Sequence, residues 1–172
     1  MTYEQPLSAA TNATIRIKLF KNVKNVPHLR KQIISGALKC CIIKPNLIVD
    51  PFQIVVAANK ALTANKMTTR TMFAEILFNL SISKNITQSL QKFGIDDNEK
   101  DIIVVVIDKG DFSDKVHEVY EQIKGEEVDI LCLKDLTDLK EVKKAYKLSD
   151  TEYEKLSILD SVVSRIATKD CI

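Results

Sequence analysis

The order of apolar and polar residues predicts strands in four places along the chain. Residues 15–19 alternate apolar and basic side chains, which is the pattern of a half-buried strand. Residues 102–107 are apolar and β-branched throughout, which predicts a central strand covered on both faces. Residues 128–133 are another strand candidate. Residues 40–43 are a short apolar run that is either a strand or a buried connection.

Helix-start and helix-stop signals predict a unit of three consecutive helices between residues 50 and 94. Asp50 is a good N-cap, Pro51 suits the first helical position, and Gln53 can complete a capping box. The second helix of this unit begins after Thr71. The third begins with the capping box of residues 85–88 and ends at Gly94.

Further helices are predicted from Pro27 to Gly36, from Ser113 to Gly125 and around residues 139–146. A capping box at residues 149–152 opens a last helix that is expected to continue to Thr168.

The elements together predict one α/β (α+β mixed) domain over residues 1–172, with residues 1–12 as a loose lead-in. We expect a small mixed sheet in which the strand at 102–107 pairs with those at 15–19 and 128–133. The three-helix unit and the C-terminal helix are expected to pack around this sheet.

Composition agrees with a single domain that has a real core, since 45% of the 172 residues are hydrophobic. The sequence contains no apolar run long enough for a membrane-spanning helix, and the N-terminus does not have the pattern of a signal peptide. Four cysteines occur without CxxC spacing, which favours a reducing intracellular compartment over a disulfide framework.

Charge is distributed unevenly along the sequence. Residues 1–95 carry 13 Lys and Arg against three acidic residues, whereas residues 96–172 carry 12 against 20. A basic half can attract polyanions in a salt-dependent way. The alternative is that the two halves intermix in the fold and their charges average out.

The sequence shows no pattern of a catalytic, cofactor or metal site. The four glycines are far apart, so no phosphate-binding glycine loop is present. The two histidines are isolated, and they do not provide zinc-ligand spacing with the cysteines. We therefore expect no enzyme activity, no cofactor and no metal.

Residues 66–71, Lys-Met-Thr-Thr-Arg-Thr, combine two cations and three hydroxyls at a predicted helix start. Cationic side chains and backbone N–H groups at a helix start are typical phosphate ligands. The predicted RNA-binding residues are Lys60, Lys66, Thr69, Arg70 and Thr71. The alternative is that Thr71 only caps the helix and the cations are solvated.

The last helix has a wide apolar face. Leu156, Leu159, Val163 and Ile166 recur at helical spacing, and Ile158 and Val162 widen the stripe. The width indicates either a partner surface or full burial in the core. We take Leu159, Val162 and Ile166 as the predicted partner surface.

Several segments of the chain resemble one known family, the TPRKB family, and they follow one another in the same order as in that family. They are LFKNVKN at 19–25, the block at 47–95 with IVDPFQIVVAANKAL and TTRTMFAEILFNLS, EVKKAYKLS at 141–149, and TKD at 168–170. TPRKB is the small subunit of the KEOPS (EKC) tRNA-modifying assembly and is named for binding the atypical kinase PRPK.

The resemblance implies an α/β domain that binds the N-terminal lobe of PRPK and contains no catalytic residue. It also implies that the assembly makes threonylcarbamoyladenosine in tRNA, with this subunit helping to hold the CCA end. The partners expected are PRPK, other KEOPS/EKC subunits and tRNA, without a membrane, at a cytoplasmic and nuclear location. A purely structural kinase partner with no RNA contact is the alternative function.

Overall fold

The sheet consists of five short strands, seen in a computed structural model that describes residues 2–110, 113–155 and 157–171. The strands are β1 (Tyr3–Pro6), β2 (Thr14–Lys21), β3 (Cys41–Ile43), β4 (Ile102–Asp108) and β5 (Glu126–Val128). Their order is β1-β2-β4-β3, and β5 pairs with the same edge of β2 as β1 does. All of these pairings are antiparallel.

Nine α-helices lie within the described ranges: α1 (Val26–Ser35), α2 (Pro51–Thr63), α3 (Met72–Leu80), α4 (Ile86–Phe93), α5 (Ser113–Glu121), α6 (Leu133–Leu136), α7 (Leu139–Tyr146), α8 (Asp150–Lys155) and α9 (Ile158–Thr168). Single turns of 3-10 helix occur at Pro45–Leu47, Ile130–Cys132 and Lys169–Cys171. None of these helices is both long and apolar enough to cross a membrane.

Helices cover both faces of the sheet. Alternate residues of β2 and β4, such as Ile17 and Val105, pack against α2, α3, α7 and α9. The opposite face, including Val104, packs against α1 and α5. Burial on both faces explains why β4 is apolar at consecutive positions, as the sequence predicts. The predicted α/β class is confirmed.

A buried polar network joins three of the helices. Gln53 is 0% exposed, and its Nε2 donates to the carbonyl of Leu47 and, over 2.7 Å, to the hydroxyl of Tyr146. The Tyr146 hydroxyl in turn donates to the carbonyl of Leu80. Gln53 Oε1 accepts from the N–H of Val49, so Gln53 lies across the start of α2 and does not close a box on Asp50.

Four further details differ from the sequence prediction. Of the strand expected at 128–133 only Val128 is in a strand, at the end of β5 (Glu126–Val128), and β5 pairs with β2, not with β4. The described strand pairs are antiparallel, whereas a mixed sheet was expected. Residues 3–6 form β1, where a loose lead-in was expected. The last helix is divided into α8 and α9. Ser157 has an extended backbone and is the N-cap of α9, since its side chain accepts a hydrogen bond from the N–H of Asp160.

Candidate functional site

The loop that leads into α3 is folded around one carboxylate. Glu75 lies in the first turn of α3 and is 4% exposed. It accepts hydrogen bonds from the backbone N–H of Thr68 at 3.1 Å and of Thr69 at 2.8 Å. The Thr69 hydroxyl donates to it as well, at 2.6 Å. Glu75 therefore uses three donors that the sequence analysis left available for a phosphate.

Thr71 caps α3 as predicted, since its hydroxyl accepts from the N–H of Ala74 at 3.1 Å. Thr69 and Thr71 thus have structural roles in the loop, and their role as RNA ligands stays a prediction. Lys66 and Arg70 are both exposed, and neither forms an ion pair with the described residues. These two cations are the members of the motif that remain available to a ligand.

The loop borders a groove of about 1150 Å³. Its walls come from α1, the edge strand β3, the 68–71 loop, α3 and α4. Thr69, Arg70 and Thr71 line it, whereas Lys60 and Lys66 are not among its lining residues.

Aliphatic side chains are the largest group in the groove lining, and its charges are mainly of one sign. Its apolar side chains include Ile33, Ile34, Leu38, Ile42, Leu77, Ile86 and Leu90. Arg30, Lys39, Lys44 and Arg70 are its cations, and Asp96 is the one carboxylate in its lining. An anionic ligand therefore has a more favourable electrostatic environment here than a cationic one.

Lys60 lies in the last turn of α2, away from the 68–71 loop. Its Nζ donates to the carbonyl of Ile166 at 2.9 Å and pairs with Asp170 at 3.0 Å. The ammonium group therefore ties the end of α2 to the C-terminal end of α9, where a cation is favoured by the helix dipole. Contact of Lys60 with RNA stays a prediction.

A buried lysine adjoins this contact. Lys169 is 3% exposed, donates to the carbonyl of Phe78, and places its Nζ 3.4 Å from the centre of the Phe78 ring. Burial, with the nearby charge of Lys60, lowers the pKa of Lys169 to about 8. Sequence analysis gave no role to this residue, because its burial depends on the Lys169–Cys171 turn meeting Phe78 of α3 in space.

The predicted partner surface on the last helix is corrected in part. Val162 and Ile166 are both 0% exposed and belong to the core beside β2 and β4. Their side chains cannot contact a partner in this structure, so that part of the prediction is wrong. Leu159 is half-buried and stays a candidate. Leu156 lies outside the described residues.

Comparison with known proteins decides the family. The model of the family described as kinase binding protein CGI-121 matches residues 20–170. This chain belongs to the CGI-121 family. A relative from Danio rerio, the EKC/KEOPS complex subunit TPRKB, is 35% identical over 99% of both chains.

Fungal members of the CGI-121 family are similar over most of their length. The EKC/KEOPS complex subunit CGI121 of Yarrowia lipolytica is 32% identical over 80% of this chain and 81% of its own. The corresponding subunit of Aspergillus fumigatus is 30% identical over 90% of each chain. The resemblance inferred from sequence segments is confirmed by these matches.

Within this CGI-121 family domain, Glu75 is the residue whose structural role sequence reasoning missed most clearly. It is the only acidic residue between Pro51 and Ile95, and it occurs in an otherwise apolar and basic stretch. Such an isolated carboxylate in the first turn of a helix is a signal for a loop folding onto it. The groove itself gave no sequence signal, because α1 and α4 are far apart along the chain.

Proposed function

We propose that this chain is a non-catalytic subunit of a KEOPS/EKC complex that binds and regulates the PRPK kinase. In the same proposal it helps to recruit tRNA by the CCA end for threonylcarbamoyladenosine modification, in the cytoplasm and nucleus. The kinase-binding description of the family and the complex named for its relatives support the kinase-binding and complex-subunit parts of this proposal.

One observation carries the RNA part of the proposal. Glu75 fixes the 68–71 loop, and Arg70 on this loop is one of the four cations that line the groove, against one carboxylate. An arginine on a rigid loop can contact a phosphate without first ordering the backbone, which lowers the entropic cost of binding.

A different observation favours the purely structural alternative. Among the described residues, five cations of the 1–95 half form ion pairs with carboxylates of the 96–172 half, so part of the basic half is neutralised internally. A kinase partner that makes no RNA contact would need no free basic surface.

Binding of tRNA with and without its CCA end separates the two functions. We expect Arg70→Ala and Lys66→Ala to weaken binding of intact tRNA, and loss of the CCA end to weaken wild type more than either variant. Lys134→Ala is a matched control, because Lys134 is an exposed cation on α6 away from the groove. Wild-type tRNA affinity in both loop variants would favour the structural alternative.

A further inference from the structure

The groove lies at the β3 edge of the sheet, between the two helical layers. α1 packs on one face of the sheet, whereas α3 and α4 pack on the other. Both layers supply lining residues at helical spacing, namely Arg30, Ile33 and Ile34 on α1 and Ile86 and Leu90 on α4. Residues three and four positions apart lie on one side of a helix, so each of these helices presents one side to the groove.

The floor of the groove offers no open strand edge. The β3 residues in its lining, Cys41 and Ile42, are 1% and 3% exposed, and Ile43 forms a bridge with Gly94 along the outer side of the strand. An extended peptide would therefore leave many of its own N–H and C=O groups without partners against apolar walls, whereas a helix pairs these groups internally. The groove favours a helix over an extended segment.

The walls of the groove expose aliphatic side chains. Ile34 is 74% exposed, the highest value for a large apolar side chain among the described residues, and Ile86 on the opposite wall is 37% exposed. A helix with an aliphatic stripe can pack between them, as ridges of one helix pack into grooves of another. Phe73 is the one aromatic residue in the lining. Nucleotide bases are usually bound by stacking on aromatic rings, so this lining favours a protein segment over bases.

The charges of the groove favour an acidic partner. Lys39 and Arg70 line the groove and form no ion pair with the described residues. Arg30 and Lys44 also line it, and they pair at 3.5 and 3.6 Å with carboxylates that are more than half exposed. Such pairs are weak because water screens them, so they leave much of the positive potential in place. Acidic residues beside an aliphatic stripe would complement these cations.

We propose that the groove between α1 and α3–α4 binds an amphipathic helix of a partner protein. The aliphatic stripe of this helix packs between Ile34 and Ile86, and acidic residues beside the stripe pair with Lys39 and Arg70. The proposal goes beyond the proposed tRNA function and does not rest on it, because Ile34 and Ile86 have no part in the proposed RNA contact.

The test uses the full chain and a synthetic peptide of about 18 residues, long enough to form a helix. Leucine occupies positions three and four apart, glutamate lies beside the leucines, and alanine fills the rest. We expect Ile34→Glu and Lys39→Glu each to weaken binding by about tenfold relative to wild type. Leu131→Glu and Lys134→Glu are the matched controls, since Leu131 is 73% exposed and neither residue lines the groove. Equal losses in the groove variants and the controls would overturn the proposal.

Two altered peptides test shape and charge separately. A peptide of the same composition with leucine at every second position has no single apolar side as a helix, and it should bind about tenfold more weakly. A peptide with lysine in place of glutamate should bind wild type weakly and Lys39→Glu more tightly than wild type. Equal binding of all three peptides to wild type would contradict the proposed recognition.

NMR of isoleucine methyl groups locates the bound peptide. The signals of Ile34 and Ile86 should shift on binding, whereas that of Ile158, on α9 and outside the groove, should stay in place. Peptide binding that leaves Ile34 and Ile86 unchanged would rule out this site. If an RNA oligonucleotide ending in CCA shifts both signals and the peptide does not, the groove binds nucleic acid and the proposal is wrong.

Discussion

At the scale of single residues, Glu75 and Lys169 are two charged side chains that the fold buries. Glu75 is stable in the interior because three donors replace the water around its carboxylate, and because it lies near the positive end of α3. Lys169 has a carbonyl and the ring of Phe78 as compensation. Both residues contact or belong to α3, and the negative charge of Glu75 opposes the lowering of the Lys169 pKa by burial.

Glu75→Gln should loosen the 68–71 loop. An amide has one acceptor oxygen where the carboxylate has two, so one of the donors from Thr68 or Thr69 would face an N–H group. We expect a loss of about 1–3 kcal/mol in the free energy of unfolding, measured by denaturant titration. Amide exchange at Thr68 and Thr69 should become faster. Glu141→Gln, at an exposed first-turn position of α7, is the control, and equal effects of the two changes would contradict this role of Glu75.

Lys169 predicts a dependence of stability on pH. Its pKa is about 8 in the folded chain, below the ordinary value of 10.5. Between these values the unfolded chain binds more protons, so the contribution of Lys169 to stability rises with pH across this window. Relative to Lys169→Met, wild type should gain roughly 1–3 kcal/mol from pH 8 to 10.5. A constant difference between the two proteins over this range would show that the pKa is not lowered.

At the scale of elements, the sequence predicted best what depends on local bonds. The N-caps at Asp50, Thr71 and Asn85 accept the backbone N–H groups expected of them. Ser149 and Glu152 form a reciprocal capping box at the start of α8. Each of these contacts spans only a few residues, so the local sequence is enough to predict it.

Errors arose where the answer depended on distant parts of the chain. The apolar run at 128–133 was predicted as a strand, but its larger part forms 3-10 and α-helical turns that pack on the core. A short apolar run does not by itself distinguish a strand from a buried helical turn. The break before α9 did have a local signal, since Ser157 and Asp160 have the spacing of a helix cap.

The wide face of α9 shows the same limit, because helical periodicity reports which side is apolar but not what covers it. Val162→Glu should abolish folding, because the new carboxylate would have no hydrogen-bond partners in the core beside β2 and β4. The cost of several kcal/mol should remove the cooperative thermal transition.

Leu159→Glu is the companion change and should keep a cooperative melt, since Leu159 is only half-buried. Binding of this variant to the PRPK kinase then tests the remaining part of the predicted partner surface. A stable, cooperatively melting Val162→Glu protein would contradict the burial described for α9.

At the scale of the whole molecule, the two charged halves of the sequence are interleaved. Lys18 pairs with Glu127 at 3.0 Å across β2 and β5, and Arg16 lies 3.4 Å from Asp108 across β2 and β4. The pairs of Arg30, Lys44 and Lys60 join the halves at other places. The excess positive charge of residues 1–95 is therefore smaller on the surface than along the sequence. Three cations of the loop and groove have no ion-pair partner among the described residues, namely Lys39, Lys66 and Arg70.

This distribution predicts a shallow salt dependence for RNA binding. If about three cations contact phosphates of a single-stranded CCA end, the logarithm of the affinity should fall with the logarithm of salt concentration with a slope of about −2. Arg70→Ala should make the slope shallower by roughly 0.7 to 1, whereas Lys134→Ala should leave it unchanged. Titrations of an RNA oligonucleotide ending in CCA at several salt concentrations would measure both slopes. A wild-type slope steeper than about −6 would mean that most of the basic half contacts RNA, which the internal ion pairs argue against.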